Sequence, residues 1–391
     1  MKETTKITTE GGLTRRRFVK CGAGAVLAAS CLPMFPHSAA AFATIPVQGG
    51  AGKVYICPPC GLPCDKLTFD KPGACPNCGM TLLEKEQADK FPTVSILLFD
   101  NVEIIDFAGP WEVFGGAGYK VFTVAERTDP INAVYGQRLV ADYTFENNPR
   151  ADVLLVPGGG VRDAANNAKL IKWVQDNTKD SQYVMSVCTG AFILAKAGLL
   201  DGLSATTVRG GIDRLATAGR NIKVVFDKRY VDNGKIITTA GLSSGIDGAF
   251  YLVSKMLGKA EAQRTALAIE YNWDPESKFV RAAFADRYLP DFQGFEAKYI
   301  SVEGNAERWE LKALVSKPAS AAGIIELTEK QVVAGTPHST SPVVIVPRTK
   351  PNEIQWKFTD DQGRRWFGSQ TVEPSSEENG KFIVIVRLNR V

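Results

Sequence analysis

The segment Tyr183-Val184-Met185-Ser186-Val187-Cys188-Thr189-Gly190-Ala191-Phe192-Ile193-Leu194 decides how the middle of the chain folds. Its first five residues form a short, mostly apolar run, as a parallel strand covered on both faces requires. Ala191 to Leu199 reads as a helix. Cys188 falls on the turn between them, so its sulfur projects from the end of the sheet. The helix dipole there favours the thiolate. Moving outward, Val94 to Phe99 and Asp152 to Val156 repeat the apolar run, and Ala164 to Thr178 carries Leu170, Ile171 and Val174 at helical spacing. Strands alternating with helices predict an α/β domain, a parallel sheet flanked by helices, with right-handed connections. The site then belongs beyond the carboxyl ends of the strands.

Two further loops follow predicted strand ends: Asp100 to Pro110, which contains Asp106, and Pro157-Gly158-Gly159-Gly160. Amides of Thr189 and of Gly158 and Gly159 are candidates to hold a developing negative charge, and Gly190 to let backbone approach closely. A glycine-rich loop alone is weak evidence. Its coincidence with a strand-Cys-helix turn is what points to a nucleophile. Two plainer readings stand beside this one: Cys188 as an inert core thiol, and Asp106 as a cap for a helix from Phe107 to Phe114. Histidine is scarce. Only His37 and His338 occur, so a local Cys-His pair is excluded.

Five of the eight cysteines crowd residues 57–78. Cys57-Pro58-Pro59-Cys60-Gly61 and Cys75-Pro76-Asn77-Cys78-Gly79 are two C-x-x-C pairs, with Cys64 between them. Each pair can wrap a turn so that two thiolates face one ion, and a glycine follows each second cysteine with an amide free to point at sulfur. Cys57, Cys60, Cys75 and Cys78, with Cys64 as a possible ligand, therefore predict a metal ribbon, structural zinc first and copper second. Disulfides are the alternative in an oxidising compartment. Residues 84–92 read as a linker.

The remaining segments set the context. Thr14-Arg15-Arg16-Arg17-Phe18-Val19-Lys20 precedes the apolar run Gly22 to Leu32, and Ala41-Phe42-Ala43 supplies a cleavage site. This predicts a signal peptide over 1–43 with cleavage after Ala43, and hence a periplasmic or extracellular protein. The apolar run is too short to cross a bilayer. The paired arginines resemble the twin-arginine type, and Cys31 offers a weaker alternative of lipid attachment. The chain carries 46 basic and 42 acidic residues, and the excess lies in the leader. A neutral body gives no electrostatic reason to expect nucleic acid as a partner. Towards the other end, Trp309 to Val315, Val343 to Val346, Ile354 to Phe358 and Phe382 to Leu388 alternate or run apolar, with Asp360-Asp361-Gln362-Gly363 as a hairpin turn. They predict an all-β, sandwich-like domain over 291–391 with no visible chemistry, in which Trp356 and Trp366 belong to the core. The Cys-rich segment and linker span 44–92 and the α/β domain 93–290.

The stretches ILLFDNVEIIDFAGPWEVFG, DVLLVPGGG, SVCTGAFILAKAGLLDGLSATT and VDNGKIITTAGLSSGIDGAFYLVSKMLG resemble the ThiJ/PfpI superfamily, and within it the isonitrile hydratase-like branch. The resemblance covers about residues 93–272. It implies a flavodoxin-like, class I amidotransferase-like fold with Cys188 as nucleophile, Asp106 as acid/base partner and Thr189 as a further pocket residue. It also implies a small-molecule substrate, no organic cofactor and a possible homodimer. Peptidase-like members pair the cysteine with a histidine, and many hydratase-like members carry a His-Trp where this chain has Val208-Arg209, so peptidase activity is disfavoured. The segment from Tyr55 to Leu83 resembles the small heavy-metal-binding segment attached to copper-handling proteins. Its Pro58-Pro59-Cys60, in place of Met-His-Pro, shifts it towards a zinc ribbon. The expected function is that of an exported cysteine-dependent hydratase. A redox- or metal-responsive protein with Cys188 as sensor, and a non-catalytic binding protein, are the alternatives.

Overall fold

The computed structural model describes residues 52–57, 63–88 and 91–391. The expected leader, Cys31 and Cys60 lie outside the described residues. Among those described, no helix is long and apolar enough to cross a membrane.

Seven strands build the central sheet, in the order Tyr230–Asp232, Ile236–Thr239, Tyr183–Ser186, Val153–Val156, Thr93–Leu97, Lys120–Ala125, Tyr143–Thr144. Every neighbouring pair is parallel except the first, a hairpin. Val153–Val156 is buried along its whole length, which is why it reads as an unbroken apolar run rather than an alternation. Two groups of helices flank the sheet. Ile104–Gly116, Ser244–Leu257 and Lys259–Ala268 pack on one another, and Arg162–Asn166, Ala168–Asp180 and Gly190–Lys196 form the second group. The helix expected over 164–178 is in fact two. Asn167 breaks it in extended backbone, and its side chain accepts the Lys169 and Leu170 amides at 3.0 and 3.2 Å, capping the second helix.

The Cys-rich segment carries a small antiparallel sheet in which Tyr55–Ile56 pairs with Thr68–Phe69 and with Leu83–Glu84. The linker expected over 84–92 begins in that sheet and continues as one helical turn, Lys85–Ala88, whose Lys85 amide bonds the Val54 carbonyl at 2.7 Å.

The C-terminal sheet is antiparallel throughout, in the order Glu296–Gly304, Arg308–Lys317, Phe382–Arg390, Arg365–Pro374, Glu353–Thr359, Val344–Ile345. Asp360 to Gly363 makes the expected turn between two of its strands. The second layer is not another sheet but a helix, Ala321–Ala334, packed on Glu353–Thr359 and Arg365–Pro374. Ser320 caps it, its Oγ accepting the Gly323 amide at 3.1 Å. Trp356 and Trp366 are fully buried. Gly368, opposite Trp356 in the ladder, leaves the room the indole needs, since a Cβ there would lie 2.1 Å from the ring. Phe284, Ala285 and Tyr288 pack into this second core, so the chain joins it before residue 291.

Candidate active site and metal centre

The strands Tyr183–Ser186, Val153–Val156 and Ile236–Thr239 run side by side, and their carboxyl ends meet at one point. The Val187 amide bonds the Val156 carbonyl at 3.0 Å, and the Cys188 amide bonds the Ala240 carbonyl at 3.0 Å. Cys188 itself has φ of +55°, a left-handed conformation costly for a residue with a Cβ. A sharp strand-to-helix elbow imposes that conformation on the residue at its tip. Gly190 is sterically required beside it, because a Cβ there would come 2.2 Å from the Val156 carbonyl oxygen. Thr207 Oγ1 donates to the Cys188 carbonyl at 2.6 Å and holds the turn from the other side.

Asp106 is buried in the first turn of Ile104–Gly116, whose N-cap is Glu103. It therefore does not cap that helix. Its carboxyl crosses to the glycine loop, where Oδ2 accepts the Gly158 amide at 3.0 Å, and Oδ1 is buried without a hydrogen-bond partner. Burial pushes this carboxyl up to about 7. The Gly158 amide opposes the rise, nearby Glu103 adds to it, and the Cys188 thiol and Leu242 amide oppose it more weakly.

Cys188 is only 7% exposed. Burial first, and the neighbouring Asp106 charge second, push its thiol up to about 12, while the amide and hydroxyl of Thr189 pull the other way. This overturns the expectation of a dipole-stabilised thiolate. The helix behind Cys188 has seven residues, and its end cannot offset desolvation and an adjacent carboxylate. Thiol and acid thus form one coupled proton-holding pair rather than two independent groups.

The glycine loop differs from expectation in a second way. The Gly158 amide is engaged by Asp106, the Gly159 amide by Thr189 Oγ1 at 2.8 Å, and the Gly190 amide by the Val187 carbonyl at 2.9 Å. None of the three is a free donor for an oxyanion. The Thr189 amide faces the sulfur. Thr189 Oγ1 also donates to the Gly159 carbonyl at 2.9 Å, so the hydroxyl clamps the two loops together. A Cβ on Gly158 would meet the Thr189 amide nitrogen at 2.6 Å and Asp106 Oδ2 at 2.8 Å, so this glycine provides clearance. Sequence reasoning missed Thr207, Ala240 and Leu242, which act on the site through single hydroxyl or backbone groups and leave no motif. His338 lies against Asp213 and Asp361, and the side chains acting on Cys188 are Asp106 and Thr189.

The second constellation is made of Cys57, Cys64, Cys75 and Cys78, whose sulfurs all lie within 4.8 Å of one another. Cys64, expected as a possible ligand, is one of the four among the described residues and is fully buried, while Cys60 lies outside those residues. Four thiolates around a tetrahedral ion at about 2.3 Å stand roughly 3.8 Å apart, so the cluster fits one metal ion. Its backbone is a tight knuckle. The Gly79 amide bonds the Cys75 carbonyl at 2.8 Å, and the Cys75 amide bonds the Met80 carbonyl at 2.7 Å. Gly79 has φ of +77°, as this turn demands. The amide aimed at sulfur is that of Met80 and not the expected glycine. It lowers the Cys78 thiol to about 7, assisted by the thiols of Cys57, Cys75 and Cys64.

A parallel sheet with a cysteine on a left-handed elbow and a carboxyl against its sulfur defines a class, the cysteine enzymes and their kin built on a flavodoxin-like scaffold. Within it, residues 92–255 match the DJ-1/PfpI family, and this chain belongs to that family. Residues 54–85 match a heavy metal binding domain. The chain is 34% identical over 180 residues to an isonitrile hydratase of Pseudomonas putida, covering 46% of this chain and 78% of that protein. It is 26% identical over 161 residues to a deglycase of Pyrococcus abyssi, covering 40% of this chain and 92% of that protein. A crystal structure of a ThiJ/PfpI family protein from Pseudomonas syringae aligns with 31% identity and a TM-score of 0.45 over 52% of this chain and 84% of that one.

Proposed function

We propose that the protein is an exported, cysteine-dependent hydratase that adds water to a small electrophilic carbon, such as the terminal carbon of an isonitrile. The observation that carries this reading is the Asp106 carboxyl, raised to about 7 and set against the Cys188 thiol, with no imidazole beside the sulfur among the described residues. The likeness to an isonitrile hydratase supports the choice of substrate.

The chemistry uses one proton relay twice. Ionised Asp106 takes the Cys188 proton as sulfur attacks the carbon of R–N≡C, and passes it to that carbon. An S–C and a C–H bond form, the S–H bond is lost, and a thioimidate R–N=CH–S remains on Cys188. Asp106 then takes a proton from water as its oxygen adds to the same carbon, hands that proton to the nitrogen, and takes the second proton from the resulting hydroxyl. Cleavage of the C–S bond, with return of the Asp106 proton to sulfur, releases R–NH–CHO. The balance is one isonitrile plus one water to one N-substituted formamide. A thiol raised to about 12 suits this order of events, in which sulfur ionises only as it attacks. The same value disfavours Cys188 as a peroxide sensor, which needs a standing thiolate.

The metal that fits the four-thiol cluster best is zinc in a structural role, because a closed set of four sulfurs offers no open coordination position. Cys57, Cys64, Cys75 and Cys78 would hold it and staple a segment too small for its own apolar core. Export rests on the basic, apolar and small-residue blocks of 1–43, with a mature chain beginning at Thr44. The possible homodimer belongs to the same reading, with light scattering as its check.

The test is turnover of cyclohexyl isocyanide to its formamide by wild type, Cys188→Ser and Asp106→Asn, with a glyoxal and an amide in parallel. The expected result is isonitrile hydration by wild type and a loss of at least about 10³-fold in either variant. Undiminished hydration in Cys188→Ser overturns the reading.

A further inference from the structure

Among the described residues, the half-buried Arg229 and Arg364 come with acceptors, whereas the buried Arg287 does not. Arg229 pairs with Asp247 and donates to the Phe279 carbonyl at 2.7 Å and to Ser243 Oγ at 3.2 Å. Arg364 donates to Asp360 at 2.7 Å. Arg287 is 8% exposed, yet its guanidinium makes no hydrogen bond and no ion pair to any described residue, and its Nη1 is wholly buried without a partner. It has aromatic neighbours instead. Its carbon lies 3.9 Å from the Phe226 ring centroid and 5.3 Å from that of Tyr288. Stacking compensates part of the buried charge, but it gives the in-plane N–H groups no acceptor.

Arg287 lines a cavity of about 220 Å³ where the α/β and C-terminal parts of the chain adjoin. Arg209 lines it too, and Arg209 Nε is a second buried donor without a partner. Of the two acids on the wall, Asp286 is already engaged by arginines. Asp286 accepts two hydrogen bonds from Arg281 at 2.7 and 2.6 Å and meets Arg209 Nη2 at 3.2 Å. Asp213 is turned largely to solvent, 3.5 Å from His338 Nε2, and Asp361 lies 3.9 Å from Nδ1 of the same ring. Arg287 thus lines the cavity with no acceptor for its guanidinium among the described residues, which suits a negatively charged ligand there. The space is large enough for a small organic anion.

We propose that this cavity is a binding site for a small oxyanion, a carboxylate or a phosphate, anchored by Arg287 and assisted by Arg209. A guanidinium fork matches the paired oxygens of both groups. The site is separate from the Cys188 pair and does not depend on the reaction assigned to it.

The experiment is calorimetric titration of the full chain with inorganic phosphate and, separately, with succinate, at constant ionic strength. One saturable site per chain is expected for at least one of the two, and which one binds separates an inorganic from an organic source. Arg287→Met is expected to weaken that binding at least about tenfold, and Arg287→Lys to retain part of it. Cys188→Ser is expected to leave it unchanged. Absence of saturable binding of either anion to wild type overturns the proposal, as does equal affinity in Arg287→Met. Should that variant not fold, Arg209→Gln decides, and an affinity equal to wild type overturns the proposal.

Discussion

Two sets of cysteines in one chain are treated in opposite ways. Cys188 is buried beside a carboxyl and its thiol is pushed up to about 12, whereas Cys78, aimed at by the Met80 amide and surrounded by three other thiols, is drawn down to about 7. Neither result follows from the residue type. The first sulfur is kept protonated until a partner removes the proton. The second is prepared to give its proton up permanently, as a metal ligand must. The contrast teaches that a cysteine's chemistry here is set by what its amide and carboxyl neighbours do to charge, more than by its position at a helix end.

The largest expected effect lies on the four-thiol side. Binding of structural zinc by such sets is on the order of 10 kcal/mol. Stripping the ion with a chelator should therefore unfold residues 54–85 and expose four thiols to a colorimetric thiol reagent, and Cys64→Ser should lose the ion measured by elemental analysis. A Cys64→Ser protein with full metal content would remove Cys64 from the site. Next in size is reactivity at the elbow. With its thiol near 12, Cys188 should react with iodoacetamide at pH 8 about 10³ times more slowly than an ordinary cysteine, and mass spectrometry of timed digests reads this directly. Rapid alkylation of Cys188 would erase the contrast.

The smallest effect concerns stability. The folded protein holds the Asp106 proton up to about pH 7, whereas an unfolded chain releases it near 4. Between those values the folded state binds more protons, so its stability declines as pH rises and levels off above 7. Asp106→Asn removes that cost. It should be more stable than wild type by about 1–3 kcal/mol at pH 8 and no different below pH 4, as read by urea melts at the two pH values.

Much of this architecture was legible because the strands are buried on both faces and so announce themselves as apolar runs, and because the Cys188 turn joins one of them to a helix. What escaped the reading has physical causes. The helix Ala321–Ala334 was hidden by its surroundings, since alternating strands dominate the pattern there, although Ser320 at its start and Gly335 at its end are ordinary boundary signals. The break at Asn167 depends on a side-chain cap that spacing of apolar residues does not register. Cys64 stands outside both C-x-x-C pairs, so spacing alone left it a possible ligand, and only its burial among the other sulfurs brings it into the set. The direction of the Cys188 shift was misread because dipole and burial act on the same atom, and only coordinates reveal how deeply the sulfur is set.

The two-way bond between Thr189 and Gly159 has a consequence for how such a protein changes over time. A floor locked by reciprocal bonds, with glycines that tolerate no added atom, leaves drift little to work on near the sulfur. Ile105, next to Asp106 in sequence, and Leu242, which bonds Asp106 through its backbone, expose their side chains and are positions that can vary without adding an atom to that floor.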